Sequence, residues 1–179
     1  LIGFFYRIFL SHTIGAEGLG IFQLVMPLQI LALAFCASGI QTAISRLTAS
    51  RKALGCPGRA GDYFISGTLF SVLFSLVLSF LFYYRADFWA VKILKEPRTA
   101  SLIRMMAPAV PLSTLHTCIN SYYFGRKKAG LPAGIQLLEQ AFRVGGYYVI
   151  YLVCISEKRT VTPLMAAGGN LIGETAACI

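Results

Sequence analysis

Charge is what this chain has least of. Only 13% of its 179 residues are Asp, Glu, Lys or Arg, only seven are acidic, and the stretch between Glu17 and Arg46 carries no formal charge. A soluble helix of that length shows a polar face, whereas this one offers only scattered Gln23, Gln29, Ser38, Gln41 and Thr42. The absence argues against a solvated helix and leaves a run longer than the roughly 20 residues that cross a bilayer core. Catalytic motifs are missing as well. There is no Walker A sequence, no G-x-S-x-G elbow and no paired-carboxylate constellation. ATP hydrolysis and acyl transfer therefore lack their residues, and the chain is not expected to be an enzyme. Cys36, Cys56, Cys118, Cys154 and Cys178 form no C-x-x-C pair, and His12 and His116 stand apart from them. Neither a metal site nor a cofactor is expected, and the cysteines read as small apolar residues. No basic segment or small-residue cleavage site accompanies the first apolar run, so no cleavable signal is expected.

What the chain does have is apolar surface. With 56% hydrophobic residues and a mean hydropathy of +0.68, it holds more than a soluble core of this size can hide. Apolar runs alternate with short polar or Gly/Pro-containing connections. They predict an all-α, polytopic membrane helix bundle in one domain, with spans near 1–10, 19–49, 63–84, 105–124, 133–155 and 161–179, the first and last incomplete. Gly15, Gly18 and Gly20 flank a connection of about eight residues, short enough to fold the first two spans into an antiparallel hairpin. Pro27, Pro108 and Pro111 fall in or beside spans, where each is either a kink lining a cavity or a kink packed against a neighbouring helix.

The net charge of +9 would suggest nucleic acid in a soluble protein. Here the basic residues lie in the connections, where they fix topology and meet anionic headgroups of the phospholipid bilayer; nucleic acid is not an expected partner. Alternate connections put Arg46, Arg51, Lys52, Arg59, Arg126, Lys127 and Lys128 on one side. Arg85, Lys92, Lys95, Arg98, Lys158 and Arg159 fall on the other. Seven against six does not set the orientation, and only the tight Arg126-Lys127-Lys128 cluster points to its side as cytoplasmic. Tyr83, Tyr84, Phe88 and Trp89 mark the opposite interface as an aromatic belt.

Polar groups at membrane depth are expensive, so they face a bundle interior or a wet cavity. Glu139 and Arg143 are the sharpest case. Their i,i+4 spacing permits a self-contained ion pair, and equally permits a carboxylate and a cation offered to a cavity. Arg7 and Arg46 add positive charge that can reach the same space, although Arg46 can also snorkel to the interface. Gln41 and Asn120 are neutral candidates.

The order of Phe5-Tyr6-Arg7-Ile8, Gly15-Ala16-Glu17-Gly18-Leu19-Gly20 and Ser38-Gly39-Ile40-Gln41-Thr42-Ala43-Ile44-Ser45-Arg46-Leu47 resembles the family of stage V sporulation protein B-like polysaccharide biosynthesis proteins. Glu96-Pro97-Arg98, Met106-Ala107-Pro108-Ala109-Val110-Pro111-Leu112-Ser113, Tyr123-Phe124-Gly125-Arg126 and Gln136-Leu137-Leu138-Glu139-Gln140-Ala141-Phe142-Arg143-Val144 continue the likeness over nearly the whole chain. Arg51 to Asp62, with Cys56-Pro57-Gly58, departs from it. The resemblance implies a member of the multidrug, oligosaccharidyl-lipid and polysaccharide exporter superfamily. Such transporters have two six-helix lobes around a central cavity, and this chain would be most of the first lobe, its partner the missing C-terminal lobe. Related lipid II flippases hold a diphosphate-linked lipid headgroup with cavity arginines, which would give Arg7, Arg46 and Arg143 a common purpose. The implied function is a flippase or exporter of undecaprenyl-diphosphate-linked cell-wall or polysaccharide precursors in the bacterial plasma membrane, working by alternating access. The alternatives are a multidrug or cation antiporter of the same superfamily and a non-transporting membrane partner in envelope or spore assembly.

Overall fold

A computed structural model describes residues 2–54, 58–156 and 162–178. Among them there are only helices: α1 Ile2–Ala53, α2 Gly58–Tyr84, α3 Ala86–Phe88 running into a π-helical turn Trp89–Ile93, α4 Thr99–Met106, α5 Ala109–Gly125, α6 Gly130–Ser156 and α7 Pro163–Ala177. Cys56, Lys158 and Arg159 lie outside the described residues.

The first two expected spans are the arms of α1, and the eight-residue connection between them is itself helical except at one residue. Gly15 has φ 80° and ψ 168°, a backbone conformation that side chains disfavour. Along a straight helix Arg7 and Ile30 would be about 35 Å apart. Instead both line one cavity, so the chain folds back at Gly15. Gly18 follows from that fold. A Cβ there would stand 2.1 Å from Ile14 Cγ2, so the crossing of the two arms leaves no room for a side chain.

Helix α2 is built inside out relative to a soluble helix. Ser71, Ser75 and Ser79 recur every four residues and are buried, while Leu69, Phe70, Leu73, Val77 and Phe80 are exposed. Gly67 continues the small stripe one turn earlier, against Ile40 and Ile44 of α1. Small residues let helix backbones approach closely, and apolar side chains pointing outward are stable where the solvent is lipid. Ser79 donates to the Ala107 carbonyl at 2.7 Å and Ser75 to its own helix at Val72, 2.8 Å, so both hydroxyls are satisfied without water. The 11% burial of its apolar window sets α2 apart from a soluble core helix, and α1 and α2 are both long and apolar enough to cross a membrane. The chain is an all-α membrane helix bundle.

The expected span 105–124 is divided. Pro108 has no N–H to continue α4 and caps α5 instead, so the helix breaks into α4 and α5 with Ala107 and Ala109 buried at the junction. Pro27 stays inside α1, where it deprives the Gln23 carbonyl of its helical donor. Buried Leu10, Phe22, Val25, Leu28, Ile103, Met106, Val110 and Tyr147 form the core where α1, α4, α5 and α6 meet.

Ion pairs and hydrogen bonds mark two ends of the bundle. Lys52 donates to the Arg126 carbonyl at 3.0 Å and Arg51 to Tyr63 at 2.9 Å at one end. At the other, Arg98 pairs with Glu17 at 2.6 Å beside Thr162. The latter pair is exposed, and such a pair contributes little, about 0–1 kcal/mol. In the aromatic belt expected from the sequence, Tyr83 pairs edge-on with Tyr84 and Phe88 with Trp89, and Phe82 adds a further edge-on contact to Trp89.

Candidate functional site

Helix α6 holds the polar centre of the molecule. Its 27 residues span about 40 Å, which puts Arg143 about 20 Å from its start, at mid-membrane depth for a helix that crosses. Arg143 Nη2 is bonded to Glu139 one turn back, as the i,i+4 spacing allows. The pair is not self-contained. Glu174 of α7 brings Oε1 to 3.7 Å from the same nitrogen, so two carboxylates flank one guanidinium. All three side chains are largely buried, at 12%, 19% and 13% exposure for Glu139, Arg143 and Glu174.

Helix α7 can bring Glu174 so close because its packing face has no side chains. A Cβ at Gly169 would come within 3.2 Å of the Arg143 carbonyl, and one at Gly173 within 3.0 Å of Arg143 Cβ. This G-x-x-x-G pair lets two backbones touch, and its spacing is the one signal in the sequence for the close packing that carries Glu174 to Arg143.

Two cavities meet at this centre. One, of about 300 Å³, is lined by Arg7, Gln23, Gln140, Arg143 and Asn170 together with apolar residues of α1. The other, of about 480 Å³, is lined by Gln41, His116, Asn120, Gln136 and Glu139. Arg143 thus faces the first and Glu139 the second. Asn120 Oδ1, His116 Nδ1 and Arg143 Nε have no hydrogen-bond partner among the described residues. Unpaired buried polar atoms are rare and costly, and these three belong to residues that line the two cavities.

Five of the six residues singled out by sequence therefore line one cavity or the other: Arg7 and Arg143 the first, Gln41, Asn120 and Glu139 the second. Arg46 is not among them. It is exposed and lines neither space. At 29 residues beyond Glu17 it stands about 44 Å along α1, past one hydrocarbon thickness, which is where a snorkelling cation belongs. His116, Gln23, Gln140 and Asn170 complete the cavities, and Glu174 stands behind them against Arg143; none of the five stood out in the sequence. His116 is isolated along the sequence, and folding brings Glu139 and Arg143 within electrostatic reach of it. Among the described residues no cluster of three or more His, Cys, Asp or Glu is arranged to hold a metal ion, and Cys36, Cys118, Cys154 and Cys178 are free thiols.

A lipid-facing bundle with charged groups enclosed between its helices defines an all-α membrane protein with a polar interior. The sequence comparison carries this to a family: the whole chain, residues 1–179, matches the polysaccharide biosynthesis protein family, and it belongs to that family. It is similar to stage V sporulation protein B of Bacillus subtilis (strain 168), 27% identical over 144 residues that make up 80% of this chain and 28% of the relative. The aligned part thus spans little more than a quarter of that relative's length. No solved structure matches the chain.

Proposed function

We propose that the full-length protein is a multi-pass flippase of the bacterial plasma membrane that moves undecaprenyl-diphosphate-linked cell-wall or polysaccharide precursors by alternating access. In this reading residues 1–179 are most of the first of two six-helix lobes, and the remaining lobe of the same chain closes the cavity. The observation that carries it is the meeting of Arg7 and Arg143, from the first and the sixth helix, on one cavity wall. Guanidinium groups match phosphate oxygens in bidentate geometry, and at membrane depth such a bond is not diluted by water. Gln23, Gln140 and Asn170 give neutral hydrogen-bonding capacity for sugar or phosphate beside them. The polyprenyl tail stays in lipid while the two lobes rock about the site.

A second reading, a drug or cation antiporter of the same superfamily, is favoured by one observation: carboxylates outnumber the guanidinium two to one at the Glu139–Arg143–Glu174 centre. The discriminating measurement uses the full-length protein in proteoliposomes and follows translocation of a fluorescent undecaprenyl-diphosphate sugar. Arg7→Ala is the informative variant, because Arg7 is exposed and makes no ion pair among the described residues. Its translocation falls by tenfold or more, on the scale of about 1.4 kcal/mol per lost factor of ten, while Arg46→Ala retains the parent rate. Equal rates in Arg7→Ala and the parent remove Arg7 from the substrate site. A parent that moves organic cations and no lipid establishes the antiporter, and one that moves neither leaves the protein as an assembly partner.

A further inference from the structure

We propose that Glu139 and Glu174 form a proton-binding switch that decides whether Arg143 is available to an anion in the Arg7 cavity. The inference rests on the reading of that cavity as a diphosphate site and adds what controls it.

Charge counting comes first. Glu139 and Glu174 both face Arg143, and all three are largely buried. With both carboxylates ionised the centre carries one negative charge in excess, in surroundings where an uncompensated charge is costly. One positive equivalent cancels it, and a proton on a carboxylate oxygen needs no extra room. A second, independent observation points the same way. His116 is 9% exposed, lines the same cavity as Glu139, and its Nδ1 has no partner among the described residues. It stands where a proton arriving through that cavity would be passed on. Around Arg143 stand Glu139 on α6, His116 on α5, Glu174 on α7 and Arg7 on α1, with Cys178 of α7 near the two glutamates.

Geometry turns the proton into a switch. Arg143 stands at the boundary between the two cavities. One of its terminal nitrogens is drawn to the carboxylates, its Nε is unpaired, and its side chain lines the Arg7 space. Two ionised glutamates compete with an anionic ligand for the guanidinium. A proton taken from water forms an O–H bond on one glutamate, removes one competitor and leaves the centre neutral. The guanidinium then offers its charge to the diphosphate. By linkage the effect is mutual: diphosphate binding strengthens proton binding by the same factor. The sign follows: protonation favours the ligand, so affinity rises as pH falls through the range where the pair takes up its proton.

The test measures binding of inorganic pyrophosphate to the full-length protein in nanodiscs by calorimetry, from about pH 5 to about pH 8. Parent, Glu174→Gln and Glu139→Gln are compared at each pH, which cancels the titration of pyrophosphate itself. Glutamine keeps the shape of a protonated glutamate, and each variant leaves the other carboxylate to pair with Arg143. At the upper end each variant binds about tenfold more tightly than the parent, a typical coupling between linked sites; at the lower end the three converge. A variant-to-parent ratio that stays constant across the range overturns the switch and leaves the diphosphate site standing. Absence of pyrophosphate binding in all three, with a normal thermal transition in each, overturns the diphosphate site and the switch together. The second glutamate variant decides if the first fails to fold.

Discussion

Gly125 shows how much one hydrogen atom can decide in a lipid-packed bundle. It ends α5, and a Cβ there would sit 2.6 Å from the Ser45 carbonyl oxygen and 2.8 Å from Thr48 Cβ of α1. Both obstacles belong to a rigid helix, so neither can give way cheaply. Gly125→Ala in the full-length protein is expected to cost about 1–3 kcal/mol, the range for overpacking, read as a lower thermal midpoint in detergent. Arg143 is decided by chemistry rather than space. Its removal would strand Glu139 and Glu174 as buried unpaired carboxylates, so Arg143→Ala is expected to destabilise by about 3–5 kcal/mol, more than Arg7→Ala. For that reason Arg7, and not Arg143, is the residue whose loss reports on transport without reporting on folding.

At the scale of the element, α2 states the physics of the whole bundle. Its inner stripe is Gly67, Ser71, Ser75 and Ser79, and its outer face is leucine, valine and phenylalanine. A soluble helix with that polarity would be turned over. The prediction is an asymmetry between two faces one residue pair apart. Val77→Arg, at 69% exposure on the outer face, costs about 2.5–3.5 kcal/mol in a membrane-insertion assay. Ser75→Ala on the inner face changes insertion little, because its hydroxyl only returns to Val72 within the helix. Equal effects at the two positions would mean that the exposed face does not meet lipid. Helices α6 and α7 illustrate the complementary rule. Glycines at 169 and 173 bring backbones together, and that contact is what carries Glu174 to Arg143.

For the molecule as a whole, the cavities lined by Arg7 and Glu139 are walls and not closed chambers. In the proposed reading, alternating access needs a second lobe to complete them. Residues 1–179 reconstituted alone are therefore expected to give no translocation of a lipid-linked diphosphate sugar, while the full-length protein does. Transport by the segment alone at the full-length rate would overturn the two-lobe reading. The proposed proton switch belongs to this scale too, since its groups come from α5, α6 and α7 and the cavity it serves is also lined by Arg7 of α1.

The sequence by itself determined the solvent. A run without charge from Glu17 to Arg46, and apolar content beyond what a core of this size holds, already require lipid on the outside and helices across it. It also marked Arg7, Gln41, Asn120, Glu139 and Arg143, because a polar group at membrane depth is legible from composition alone. It did not determine how they are grouped. Arg46 could serve a cavity or snorkel by sequence, and in the fold it is exposed and lines neither cavity. The i,i+4 spacing of Glu139 and Arg143 left a self-contained pair and a cavity role equally open, and α7 adds a second carboxylate to the pair. His116 looked solitary because its neighbours are supplied by other helices. Periodicity reports which solvent a residue prefers, a property of one side chain and its helix. Which charges meet depends on helix crossings set by glycines at 169 and 173 and on the fold-back at Gly15, so only the tertiary structure decided it.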